Sequence, residues 1–210
     1  MWFYLGGIMS NSVNYTSSWT QICNRALGRL GAAEIKDLDE GTNSAGFCVR
    51  FLPQAIEDVL GQYDFKFARR RTRLALNADR PNFGWRYQFQ LPLDLIRIID
   101  VFGGTNLRPE RNETTSYQIE NGMILADVEA IQIVYTIRPD NPNNMPGAVR
   151  TAISTHLAYL LSTPLTSNEQ LIALLAAESQ RAINQAKIED AQMNYDPEAK
   201  GQDFHVENRR

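Results

Sequence analysis

The chain predicts an α+β fold: a helical bundle built from both chain ends, an inserted antiparallel β-region, and an extended C-terminal tail. Three observations carry that expectation. Residues 19–60 and 147–193 repeat apolar side chains at helical spacing. Residues 67–138 instead break into short alternating runs separated by Gly, Pro and Asn, which is the pattern of strands and turns. The order is helices, strands, helices, so the strands read as an insertion. The expected division is an N-terminal extension over 1–16, the bundle over 17–66 and 145–193, the β-domain over 67–144, and a partner-docking tail over 194–210.

The first helix is expected over 19–30. Ser17 or Ser18 caps it, Trp19, Ile22, Cys23, Ala26, Leu27 and Leu30 form its apolar stripe, and Gly31 ends it. A second, capped by Thr42 or Asn43, runs to about residue 63 with Phe47, Val49, Phe51, Leu52, Ile56, Val59 and Leu60 as its core face. Pro53 should kink or divide it, because proline removes one helical hydrogen bond and its ring crowds the preceding turn.

Six strands follow, over 71–76, 87–91, 95–102, 117–120, 123–126 and 130–137. Pro81, Asn82 and Gly84 mark a turn before Tyr87, Phe89 and Leu91 alternate with Gln88 and Gln90. Pro92 cannot donate to a sheet ladder, so that strand stops there or runs at an edge. Asn121-Gly122 is the strongest hairpin signal, since both residues tolerate positive φ. Gly103-Gly104 marks another reversal. Helix resumes over 147–161, then a long one over 168–193 with six alanines among Leu171, Leu174, Leu175, Ile183 and Ile188.

Composition narrows the function classes. A net charge of −3 over 210 residues predicts no bulk affinity for nucleic acid or an anionic membrane. Two cysteines, Cys23 and Cys48, sit in apolar stretches and read as reduced core thiols. The apolar N-terminus lacks a basic leader region, so nothing in it reads as an export signal, and Met9 offers a second start. No run approaches the ~18 apolar residues of a membrane span. The expected place of synthesis is a cytoplasm.

Chemistry-bearing patterns are sparse. Neither phosphate-binding glycine loop occurs, nor H-E-x-x-H. His156 has no histidine or cysteine three or four residues away and reads as a packed or interfacial histidine; His205 reads as a surface residue. Of the acids, Glu57-Asp58 and Glu189-Asp190 are adjacent on helices and point apart. With Glu110 and Glu113, they read as solvated carboxylates. Lys66, Arg69, Arg70, Arg71 and Arg73, interleaved with Phe65 and Phe67, form a candidate DNA- or partner-facing basic patch.

Four stretches then carry a resemblance: ICNRALGRLGA at 22–32, FCVRFLPQAIEDVLGQYDFKFARRRTRLA at 47–75, NFGWRYQFQLPLDLIRI at 82–98, and the long helix at 168–193. In that order they resemble the tail tubular protein A family, the head-to-tail adaptors of short-tailed phages. The resemblance implies a structural virion protein, a ring typically of twelve copies between portal and tail nozzle, through which DNA is ejected and behind which the genome is retained. It implies no catalytic residue and no cofactor or metal. Implied partners are further copies of the chain, the portal, the nozzle, tail fibres and, in passing, double-stranded DNA. Its tail would dock on the portal, here through Tyr195, Phe204, His205, Arg209 and Arg210. The implied location is the virion neck, assembled in the host cytoplasm, with no membrane contact. Two other readings stand beside it: a virion-borne cell-wall or polysaccharide hydrolase using Glu57, Asp58, Glu110 or Glu113, and a DNA-binding packaging factor using the arginines of 69–73.

Overall fold

The computed structural model describes residues 18–106 and 115–193. The N-terminal extension, Glu110, Glu113 and the whole expected docking tail, Tyr195, Phe204, His205, Arg209 and Arg210 included, lie outside the described residues. Helix α1 (Trp19–Arg29) starts at Ser18, whose hydroxyl accepts from the Gln21 amide while the Gln21 side chain accepts from the Ser18 amide. Such a reciprocal cap contributes about 1 kcal/mol. Gly31, at φ +67, turns the chain out of the helix.

Helix α2 (Asn43–Gly61) is capped by Thr42 and runs unbroken through Pro53. The expected division does not occur. Pro53 is exposed and Val49, whose carbonyl loses its helical donor, is 49% exposed, so water can satisfy that carbonyl. The same fact corrects the expected core face: Ala45, Cys48 and Ala55 are buried with Leu52, Ile56, Val59 and Leu60, while Val49 is outside.

Helix α3 (Gly147–Leu165) also continues through a proline, Pro164, further than expected. Pro164 sits exposed in the last turn, and Thr166 still donates to the Ser162 carbonyl at 2.9 Å. α3 is the bundle's axis. α1, α2 and α4 (Glu169–Gln192) all pack on it. Its burial is therefore nearly all round, and its buried hydroxyls on Ser154, Thr155 and Ser162 bond back into its own carbonyls.

Six strands form, the first starting two residues earlier than expected and ending three earlier: β1 (Arg69–Arg73), β2 (Tyr87–Gln90), β3 (Leu95–Gly103), β4 (Tyr117–Glu120), β5 (Met123–Ala126) and β6 (Ile131–Ile137). They make two antiparallel sheets, ordered β1-β6-β3 and β2-β5-β4. Asn121 (φ 46) and Gly122 (φ 73) turn β4 into β5 as a two-residue hairpin. The sheets close on one another around Phe89, Ile124, Ala126, Ile131, Ile133 and Tyr135, a second core that Ile137 joins at its edge to the helical one. Sandwich and bundle meet where Arg138 pairs with Glu57 of α2 and the Lys66 amide donates to Asp190 of α4 at 3.1 Å.

Candidate functional site

The basic cluster is where sequence and structure differ most. Strand β1 sends successive side chains to opposite faces, so its arginines separate. Arg70 turns to the Asp94 carboxylate at 2.5 Å, which also accepts from the Tyr135 hydroxyl at 3.2 Å. That acceptor, pinned in the β2–β3 turn, fastens β1 and β6 to the turn. Arg69 is held by Asp64, and the Lys66 ammonium lies 4.0 Å from Asp190. Three of the five cations thus have carboxylate partners and do not form one open patch.

What remains is a sheet face. Arg69, Arg71 and Arg73 lie opposite Thr136, Val134 and Gln132 of β6, which in turn lie opposite Arg97, Asp100 and Phe102 of β3. Opposed residues share a face, so Arg97 joins the row from β3. A cavity of about 260 Å3 opens here against Arg71, Arg73, Phe102, Gln132 and Val134. Arg73 donates to the Thr105 carbonyl at 3.4 Å; Arg71 is exposed and has no hydrogen bond or ion pair among the described residues. Thr136 is fully buried, and its hydroxyl, like the Arg97 Nε beside it, has no partner among the described residues.

A second polar constellation lies in the bundle. His156 of α3 places Nδ1 at 2.9 Å from the Ser179 hydroxyl of α4 and Nε2 at 3.0 Å from the Asp58 carboxylate of α2. The packed histidine of the sequence reading is there, with two partners that nothing in the spacing announced. Ser, His and Asp in contact invite comparison with a hydrolytic triad. The geometry departs from one. Ser179 is 3% exposed and lies well inside α4, so the amides around it are used in helical bonds and cannot form an oxyanion hole. The arrangement bridges three helices.

The acids do not converge. Glu57 pairs with Arg138 and Asp58 with His156, as expected for adjacent helical positions. Among the described residues no group of three or more His, Cys, Asp and Glu could hold a metal ion, and no helix is long and apolar enough to cross a membrane. Cys23 and Cys48 are free and buried. Their shared hydrogen bond, with burial, pushes the Cys23 thiol far above its ordinary range.

Exposed apolar groups lie on both units. On α4 the row Leu175, Ser179, Ile183, Ala186 and Asp190 is buried, while the opposite side presents Leu174 and Ile188, each 52% exposed. The sandwich presents Phe83 in the loop before β2 and Leu93 in the β2–β3 turn, 89% and 98% exposed, with Tyr117 and Ile119 on β4.

No family model and no curated protein matches this chain.

Proposed function

We propose that this chain is a structural head-to-tail adaptor of the tail tubular protein A kind, acting in the virion neck and not as an enzyme. Copies assemble as a ring, typically of twelve, between portal and nozzle, and the ring forms the conduit for DNA ejection and helps retain the genome. The observation that carries this reading is the two-sided α4. One row builds the chain's own core, and the other side leaves Leu174 and Ile188 half exposed among polar residues. Two apolar side chains opposite a buried row, with the exposed Arg181 and Gln185 between them, suit the mixed surface of a contact with a neighbouring protein.

The sandwich supports the same reading. Its exposed Phe83 and Leu93 stand on turns fixed by a rigid two-sheet core, as a docking tip requires. The Asp58–His156–Ser179 bridge gives a hydrolase no accessible nucleophile and so does not favour that alternative. The test is to mix purified chain with its portal and image the product by electron microscopy. A ring coaxial with the portal is expected; separate particles with no shared axis would overturn the proposal.

A further inference from the structure

The arginine face of the β1-β6-β3 sheet has a counterpart of opposite sign on the same chain. The loop between α1 and α2 exposes Glu34, Asp37, Asp39 and Glu40 around a single cation, Lys36. This loop is built to hold its shape. Ile35 is 3% exposed in the helical core, and Asn24 of α1 clamps its backbone, donating to the Ile35 carbonyl and accepting from the Ile35 amide, both at 2.9 Å. Glu40 closes the loop by accepting from the Lys36 amide and the Thr42 hydroxyl, each at 2.7 Å. The carboxylates of Glu34, Asp37 and Asp39 therefore project from a fixed base, so little conformational entropy is lost when a partner engages them.

The other surface is equally fixed. Arg71 and Arg73 project from a hydrogen-bonded strand, two residues and hence ~6.7 Å apart. Asp37 and Asp39 lie in the loop's turn, where the Asp39 amide donates to the Asp37 carboxylate at 3.4 Å, and both are exposed, so arginine forks can meet them in charge-assisted bonds. Within one copy the surfaces do not meet, because Arg71 has no ion pair and Arg73 binds only the Thr105 carbonyl among the described residues.

We infer that the acidic α1–α2 loop of one copy docks on the Arg71/Arg73 face of the next. The inference rests on the ring reading above and names one of its contacts. Two different surfaces of one chain make a head-to-tail interface, which closes into a ring when its rotation divides a full turn. Phe102 and Val134 share the arginine face, with the exposed Asp100 opposite Val134 as its one acid among the paired residues.

Charge exchange tests it on the full chain. Self-association is measured by sedimentation velocity over a range of protein and salt concentrations, for wild type, for Arg71→Glu/Arg73→Glu, and for Asp37→Arg/Asp39→Arg. Wild type should associate, less so at high salt, and each reversal should weaken association at least tenfold. An equimolar mixture of the two reversals should recover it, as should one chain carrying all four changes, since opposite signs again face each other. All four residues are exposed, so folding should survive; if circular dichroism shows otherwise, Arg71→Gln/Arg73→Gln and Asp37→Asn/Asp39→Asn replace the reversals, and each must then weaken association.

Wild-type association that is indifferent to these changes overturns the contact and leaves the ring reading standing. A wild-type chain that never associates, alone or on its portal, overturns both. Rescue of the arginine reversal by Glu110→Lys/Glu113→Lys would show that the face is covered by the chain's own 107–114 segment, and salt-dependent binding of duplex DNA lost with Arg71 and Arg73 while association persists would show that it serves nucleic acid. Either result overturns the inference.

Discussion

The imidazole of His156 stands between two helices that are distant in sequence, with Asp58 3.0 Å from one ring nitrogen and Ser179 2.9 Å from the other. His156→Ala should cost about 1–3 kcal/mol of stability, because the buried Ser179 hydroxyl loses its partner. In urea denaturation His156→Leu/Ser179→Ala should cost less than the two single changes added together, since no buried polar group is then left unpaired. Additive costs would show that the bridge contributes nothing as a unit.

The surface row on α4 predicts a different outcome. Leu174→Asp and Ile188→Asp should leave the unfolding midpoint within about 0.5 kcal/mol of wild type, as exposed substitutions do. Both should abolish ring formation with the portal in electron micrographs. Normal rings from both variants would remove this row from the assembly.

At the hairpin, Gly122→Val should destabilise by about 1–2 kcal/mol, because a φ of 73 brings a Cβ against the following carbonyl. Asn121→Gly should be nearly neutral in the same denaturation experiment. Equal costs for the two would show that backbone conformation is not what the turn selects.

The buried thiols predict a pH effect of definite sign. The folded chain raises the Cys23 pKa above its ordinary 9.0, chiefly through its hydrogen bond with Cys48. Protonated Cys23 therefore favours the folded state fully below pH 9, and that contribution falls away as pH rises beyond it. Thermal melts from pH 8 to 10.5 should show a steeper alkaline loss in wild type than in Cys23→Ala/Cys48→Ala, since removing Cys23 alone leaves a buried thiol at Cys48. A thiol-reactive dye at pH 7.5 should label neither cysteine until denaturant is added.

The strands were legible because strand and turn signals alternate along 67–138: period-two alternation marks Tyr87–Gln90, and the Asn121-Gly122 turn marks the start of the wholly apolar Met123–Ala126. The prolines misled because their effect depends on which side of the helix they occupy. Pro53 and Pro164 both sit on exposed sides, and only the packed bundle determines that. The basic cluster was half legible. The sequence places its arginines ahead of and into a strand from Arg71; β1 begins at Arg69 with Lys66 in the helical turn before it, and period two scatters the contiguous run across both faces. Arg97 joins from β3 only through pairing with β6. Ser179 and Asp58 gave no signal, since their contacts with His156 span 23 and 98 residues.

The separation of the two cores has a consequence for synthesis on the ribosome. Every residue of the sandwich core lies between Leu74 and Tyr135, so that unit is complete before α3 has been translated. The helical core joins Ile22 and Leu27 to Leu161 and Ile183, so α1 and α2 emerge without the helix on which they pack. Until α3 arrives, their apolar faces lack the helix that covers them. A chain is at its stickiest before it is finished, and here the order of segments leaves the apolar faces of α1 and α2 waiting longest for their cover.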